Sequence, residues 1–439
     1  MPAFRVACLL SAAVLAVAPG CGAAEEDRQA DASAVGTLEY RPAERGDWPW
    51  WRGPHRDNAA PGERVPVEWS DTKNVVWKAP VPGRGHASPC VVKDRVVLAT
   101  ADEEREIQGV VAFDRATGRQ SWRSDLHRGG FDGELHRKNT QASPTVASDG
   151  ERFFAAYLNA GNVILTALDF DGKQLWQTTV EEDFDSYYGY SASPTIHGNY
   201  VIVAADHQGG GCLAAVDRRS GEIAWKTNRP AEVTYASPIV LALDGRDQLP
   251  IAGANRVASY DPATGKQLWS VAGTTKACVG TAVQAGDLVF ASGGYPGKET
   301  VCMRADGSGE VVWRNGVKAY VPSMLVRDGC AYLVTDNGVL YCWDAETGKE
   351  HWKQRLGGGD VSASPVLAGE HIHVSNEAGT TFVIKPGPAR FELVAQNQLG
   401  DEAFATPAVC GDRIYLRVAD GSTGRRQESL YCIGSAPAE

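Results

Sequence analysis

One phrase recurs along the chain, and its recurrence limits the fold more than any other feature. It reads Ser or Thr before Pro, an apolar strand, a polar turn, a second strand, Leu-x-x-x-Asp, a Thr-Gly turn, and Trp. The fullest copy is Leu340-Tyr341-Cys342-Trp343-Asp344-Ala345-Glu346-Thr347-Gly348-Lys349-Glu350-His351-Trp352. Other copies end at Trp122, Trp225 and Trp269, a copy with a shorter turn ends at Trp176, and a degenerate one ends at Trp313. Counted from Trp77, the ladder steps by 45, 54, 49, 44, 44 and 39 residues. Such a step holds four strands of about 5–6 residues with their turns, which is one propeller blade.

A second series counts the blades. Ser88-Pro89, Ser143-Pro144, Ser193-Pro194, Ser237-Pro238, Thr281-Ala282, Pro322-Ser323, Ser364-Pro365 and Thr406-Pro407 mark eight innermost strands. The next tryptophan in phase falls near Ala395, where the ring is lost. Asn74-Val75-Val76-Trp77 reads as a last strand with no blade before it, and Ser429-Leu430-Tyr431-Cys432 as a third strand with no fourth after it. Joining them reconciles the two series. The expected fold is all-β: an eight-bladed β-propeller of four-stranded antiparallel blades, closed by an N-terminal strand that completes the last blade. Closure removes the unpaired edges that would seed aggregation.

Each part of the phrase has a physical task. Asp accepts local backbone hydrogen bonds in the turn, and Gly supplies a positive φ. A Pro near a strand terminus lacks an N–H where none is needed. Trp77, Trp122, Trp176, Trp225, Trp269, Trp313 and Trp352 are read as docking one blade on its neighbour, since an indole buries a large flat area.

The phrase resembles the quinoprotein-like repeat, named for pyrroloquinoline quinone (PQQ), from Val75 to Ile433. The opening Trp48-Pro49-Trp50-Trp51-Arg52-Gly53-Pro54 is similar to a segment that precedes many such propellers, and is read as a plug packing its rings on the barrel's outside. The resemblance implies one of two branches: quinone-dependent dehydrogenases, or non-enzymatic propellers such as the BamB lipoprotein of outer-membrane assembly. Function lies in sites and not in folds, so the repeat alone does not choose. The dehydrogenase branch would require a calcium site, a catalytic Asp and commonly two adjacent cysteines, and no two cysteines are adjacent here. The BamB-like branch is favoured, with no cofactor, no metal and no catalytic residue expected. A PQQ- and calcium-dependent or other redox enzyme is the alternative.

The front of the chain looks exported. Arg5 precedes an apolar run at 6–17, too short to span a bilayer, as in the h-region of a signal peptide. Ala18-Pro19-Gly20-Cys21 resembles a lipobox, which implies Cys21 as the lipid-bearing first residue; Pro19 departs from the usual small residue there. Cleavage near Gly22-Ala23-Ala24 is the alternative. The division is then 1–20 leader, 21–47 flexible linker and 48–435 propeller. A single lipid would tether the protein to a membrane without crossing it, on the periplasmic side of the envelope.

A net charge of -11 argues against a nucleic-acid binder. Expected partners are envelope proteins or a small polar or saccharide ligand, and the chain is expected to be monomeric. His371 and His373 would share one face of a half-exposed edge strand, and Asp169-Phe170-Asp171-Gly172 sits at a repeat turn and lacks further calcium ligands. Cys212, Cys302, Cys342 and Cys432 take related places in strands, as small buried apolar residues would.

The candidate functional surface is one mouth of the central channel, ringed by residues just before each innermost strand. They are Arg84, His86, Lys138, Gln141, Tyr188, Tyr190, Tyr235, Lys276, Lys318, Tyr320, Asp360 and Glu402, with Phe404 beside the last. Aromatics mixed with both charges suit polar ligands or a peptide segment. Loops 101–108, 127–139 and 419–427 would overhang the rims, with 206–211 as a further polar loop.

Overall fold

Each copy of the phrase folds into a meander of four antiparallel strands in the computed structural model, which describes residues 46–131 and 135–435. The first blade runs through Cys90–Val92, Arg95–Asp102, Ile107–Asp114 and Gln120–Arg128. Six more blades follow within 147–181, 195–228, 241–272, 283–315, 325–355 and 366–398. The eighth contains Ala408–Cys410, Arg413–Asp420 and Gln427–Ile433, and Val75–Val81 supplies its outermost strand. Trp77 lies opposite Cys432 and Ala79 opposite Leu430, so the two chain ends close the ring as the sequence implied. No helix occurs among the described residues.

The tryptophans lock neighbouring blades. All seven sit on outermost strands beside a break in register: Trp122 pairs with Ala112, Trp225 with Ala215, Trp313 with Cys302 and Trp352 with Cys342. Ala395 occupies the same place, opposite Val383. The indole lies on the turn glycine of the next blade. A Cβ on Gly118 would come within 2.5 Å of the Trp77 ring, one on Gly265 within 2.4 Å of Trp225, and one on Gly348 within 2.6 Å of Trp313. These glycines also hold φ between +70° and +72°. Glycine is therefore required twice over, for the turn and for the ring that covers it. Indole N–H groups donate onward to the next blade, from Trp77 to the Arg115 carbonyl at 3.0 Å and from Trp313 to that of Ala345 at 2.9 Å. Trp269 instead donates to Gln248 Oε1 of its own blade at 2.7 Å. The repeat's aspartates form turns: Asp344 Oδ1 accepts the N–H and the O–H of Thr347. Asp169 does likewise for the N–H groups of Asp171 and Lys173.

The opening aromatic segment is not on the outside of the barrel. It crosses one end of the central channel. Trp48 bridges to Val91, and the Pro49 carbonyl accepts the Ser148 N–H. Arg56 donates to the Ile196 carbonyl, Trp51 to Thr281 Oγ1, Arg52 to the Met324 carbonyl and Asn58 to the Pro365 carbonyl. Ala59–Ala60 then pairs in parallel with Leu367 and Ala368. These partners lie on, or lead into, the innermost strands of six blades. The reason is geometric. A ring of eight sheets leaves an axial channel, and large rings attached to a free backbone can fill it from one end.

Two smaller expectations change. His373 is not at a half-exposed edge: it is buried and stacked on Trp69 at 5.6 Å, because the N-terminal segment covers this face of the seventh blade. Burial holds its imidazole down to about 3, with a smaller contribution from His371. Asp47, the end of the expected linker, is buried 3.3 Å from Arg115. The leader, Cys21 and the linker up to 45 lie outside the described residues. Eight described cysteines are buried free thiols, with Cys302, Cys342 and Cys432 facing the blade-docking tryptophans.

Candidate functional site

With one end of the channel crossed by the aromatic segment, the other opens into a cavity of about 960 Å³. Its depth is set by a ring of hydroxyls, one from each blade: Ser88, Thr145, Ser193, Ser237, Thr281, Ser323, Ser364 and Thr406. They link the blades. The backbone N–H of Ser88 donates to Thr145 Oγ1 at 3.1 Å, that of Thr145 to Ser193 Oγ at 2.9 Å, and that of Ser193 to Ser237 Oγ at 2.9 Å. A second arc runs from Thr281 to Ser323, Ser364 and Thr406, each link 2.9 Å. Between the arcs, the Trp51 indole takes Thr281 Oγ1 at 2.9 Å from the plugged end. Apart from the seventh blade, where Ala59–Ala60 adds on, an innermost strand has no partner strand on its channel side, so its N–H groups need acceptors there. In six of the eight blades the Ser or Thr of the repeat supplies one.

Above this belt, His86, Lys138, Tyr188, Tyr235, Lys276 and Tyr320 line the cavity, as the sequence placed them. His86 stacks on Phe404 at 4.0 Å, and its Nδ1–H donates to the Lys138 carbonyl at 3.2 Å. Burial, followed by the charges of Arg84 and Arg417, pushes its imidazole well below the usual range. Lys138 Nζ lies 2.6 Å from Glu377 and 3.2 Å from Asp360. Lys276 pairs with Glu232 at 2.8 Å, and that bond raises its amine. Burial raises the phenols of Tyr235 and Tyr320, which therefore stay protonated as hydrogen-bond donors.

The other six residues nominated from sequence do not line the cavity. Tyr190 is buried in the core, its hydroxyl donating to the Ala204 carbonyl at 3.1 Å. Gln141 is turned between blades, where its carbonyls accept from Gln108. Lys318 donates to the Gly294 carbonyl, and Arg84 turns to Glu103 at 3.6 Å. Asp360 stands behind Lys138 and also takes Arg137 at 3.0 Å. Glu402 pairs with Arg426 in a separate narrow cleft. In these six, a hydrogen-bond partner or an opposite charge claims the side chain before the channel does.

Sequence reasoning missed Trp51, Tyr187, Tyr295, His136 and the belt's role. The Ser/Thr-Pro series was the available signal for the belt, although in the second blade Thr145 and not Ser143 provides the hydroxyl. Ser143 instead bonds back to Asn139 in the preceding turn.

The architecture and the closed-ended channel define an eight-bladed propeller of the PQQ-like repeat class. The family model described as outer membrane protein assembly factor BamB matches residues 60–125, 106–354 and 297–427, and the chain belongs to that family. Outer membrane protein assembly factor BamB of Burkholderia pseudomallei is 25% identical over 378 residues, spanning 82% of this chain and 90% of that protein. The BamB of Bordetella pertussis is 25% identical over 80% of this chain and 86% of its own length. Among solved structures, BamB from Moraxella catarrhalis has a TM-score of 0.60 at 15% identity, over 82% of this chain and 99% of that one. A europium-containing methanol dehydrogenase has a TM-score of 0.62 at 12% identity, over 89% and 98%. At such identities the structural likenesses show the fold alone.

Proposed function

We propose that the protein is an exported, lipid-tethered scaffold that binds envelope proteins during outer-membrane assembly. The observation that carries this reading is the extent of the family match, which runs around the whole ring from 60 to 427. The open mouth offers contact area for a polypeptide: Tyr187 is 69% exposed and Tyr295 63% exposed. Exposed rings of this kind are enriched where proteins meet.

The donor chemistry of the cavity supports a non-enzymatic reading over quinone oxidation. Among the described residues, Glu232 is the one carboxylate side chain in its lining, and that carboxylate is paired with Lys276. Among the described residues no three His, Cys, Asp or Glu side chains converge as metal ligands would. A calcium-held quinone needs several such oxygens, so these residues do not fit it.

The test is copurification of the full chain from the envelope of its own cell. Outer-membrane protein assembly components are expected with the unaltered chain, and about tenfold less of them with Tyr187→Ala and Tyr295→Ala combined. Cys21→Ala is expected to move the protein from the membrane to the soluble fraction. Dye-linked alcohol oxidation on addition of PQQ and calcium would count for the enzymatic alternative.

A further inference from the structure

We propose that the channel cavity binds the end of a neutral oligosaccharide. Its volume of about 960 Å³ is that of a small-molecule site, and the segment 48–60 crosses the far end, so a ligand enters and leaves by one mouth. A polymer cannot thread through such a channel. It can present only a terminus.

The lining selects the chemistry. Trp51, Tyr187, Tyr188, Tyr235, Tyr295 and Tyr320 bring flat apolar faces with polar tips to a single space. A pyranose ring has the complementary shape, with C–H groups on its faces and hydroxyls on its edge. The belt adds the polar half. Six of its eight oxygens accept a backbone N–H from a neighbouring blade, which leaves the O–H protons of those six to donate. Among the described residues the belt hydroxyls meet donors: the N–H groups of neighbouring blades and, at Thr281, the Trp51 indole. The cavity thus holds a circle of uncharged donors beneath a collar of rings.

Charge argues against an ionic ligand. The two amines, Lys138 and Lys276, already face carboxylates at 2.6 Å and 2.8 Å. An anion would have to displace Glu377 or Glu232, at the cost of breaking an existing pair. An extended peptide is disfavoured by the same belt. Strand addition needs free backbone N–H groups at the sheet edge, and here six of them are spent on the hydroxyls of the next blade. The proposal does not depend on the assembly role: the two readings share Tyr187 and Tyr295 at the mouth, but the saccharide reading rests on the belt and is tested at Tyr188 and Tyr320.

Calorimetric titration of the full chain with maltotetraose, cellotetraose and tetra-N-acetylchitotetraose tests it, with PQQ and an uncharged hexapeptide as further arms. At least one tetrasaccharide should bind with a Kd below about 1 mM. Tyr320→Ala should weaken that binding about tenfold. Tyr188→Ala changes a side chain that is 47% exposed, and so reads the same site without threatening the fold. The proposal is overturned if none of the three saccharides binds, if PQQ or the hexapeptide binds and they do not, or if both tyrosine variants bind as the unaltered chain does.

Discussion

Replacing Trp313 by alanine is expected to cost the fold about 3–5 kcal/mol, read as a lower urea midpoint at equilibrium. The ring is 9% exposed, packs edge-on against Trp343 at 6.0 Å, and donates its N–H to the Ala345 carbonyl. Truncation removes the buried area and leaves that carbonyl without its donor. The same contact can be broken from the other side. Gly348→Ala should cost about 2–4 kcal/mol, from a Cβ driven into the indole and from alanine forced to positive φ. Once Trp313 is alanine, only the backbone part of that cost should remain, near 1–2 kcal/mol. Non-additivity of this size is the signature of direct contact. If the two costs simply add, the indole does not rest on the glycine.

Removing residues 1–81 should abolish the monomeric fold. The truncated chain would lose four buried indoles, those of Trp48, Trp50, Trp69 and Trp77. At about 3–5 kcal/mol each, their loss matches or exceeds the net stability of about 5–15 kcal/mol that a folded protein has. It would also leave Gln427–Ile433 as an open edge. Aggregated or degraded product is expected on expression, by size-exclusion chromatography, with rescue when a separate 46–81 polypeptide is coexpressed. A soluble monomer without the segment would show that the ring does not need its front end.

The blade count and the closing strand were legible because both repeat. A phase carried through seven tryptophans predicts even the vacant place at Ala395, which pairs where the missing ring would stand. The aromatic opening has no phase to follow. Its apolar rings show that it packs, but its position across the channel follows from hydrogen bonds to Ile196, Thr281, Met324 and Pro365, all far away in sequence. The mouth was half legible for a related reason. Alternation of side chains holds along a strand and fails in the loop before it. Gly189, at φ +81°, reverses the chain between Tyr188 and Tyr190, so one ring faces the cavity and the other enters the core. The Ser and Thr hydroxyls were visible as strand-start markers. Their use as interblade acceptors becomes apparent only when eight strands stand side by side.

Closure of the ring and of one channel end by the front of the chain is most directly tested by hydrogen–deuterium exchange of the intact protein. Peptides covering 48–60 and 75–81 should exchange as slowly as 427–433, the strand that receives the closing segment. Exchange of those two peptides within seconds, while 427–433 stays protected, would contradict the closed ring and the plugged channel together.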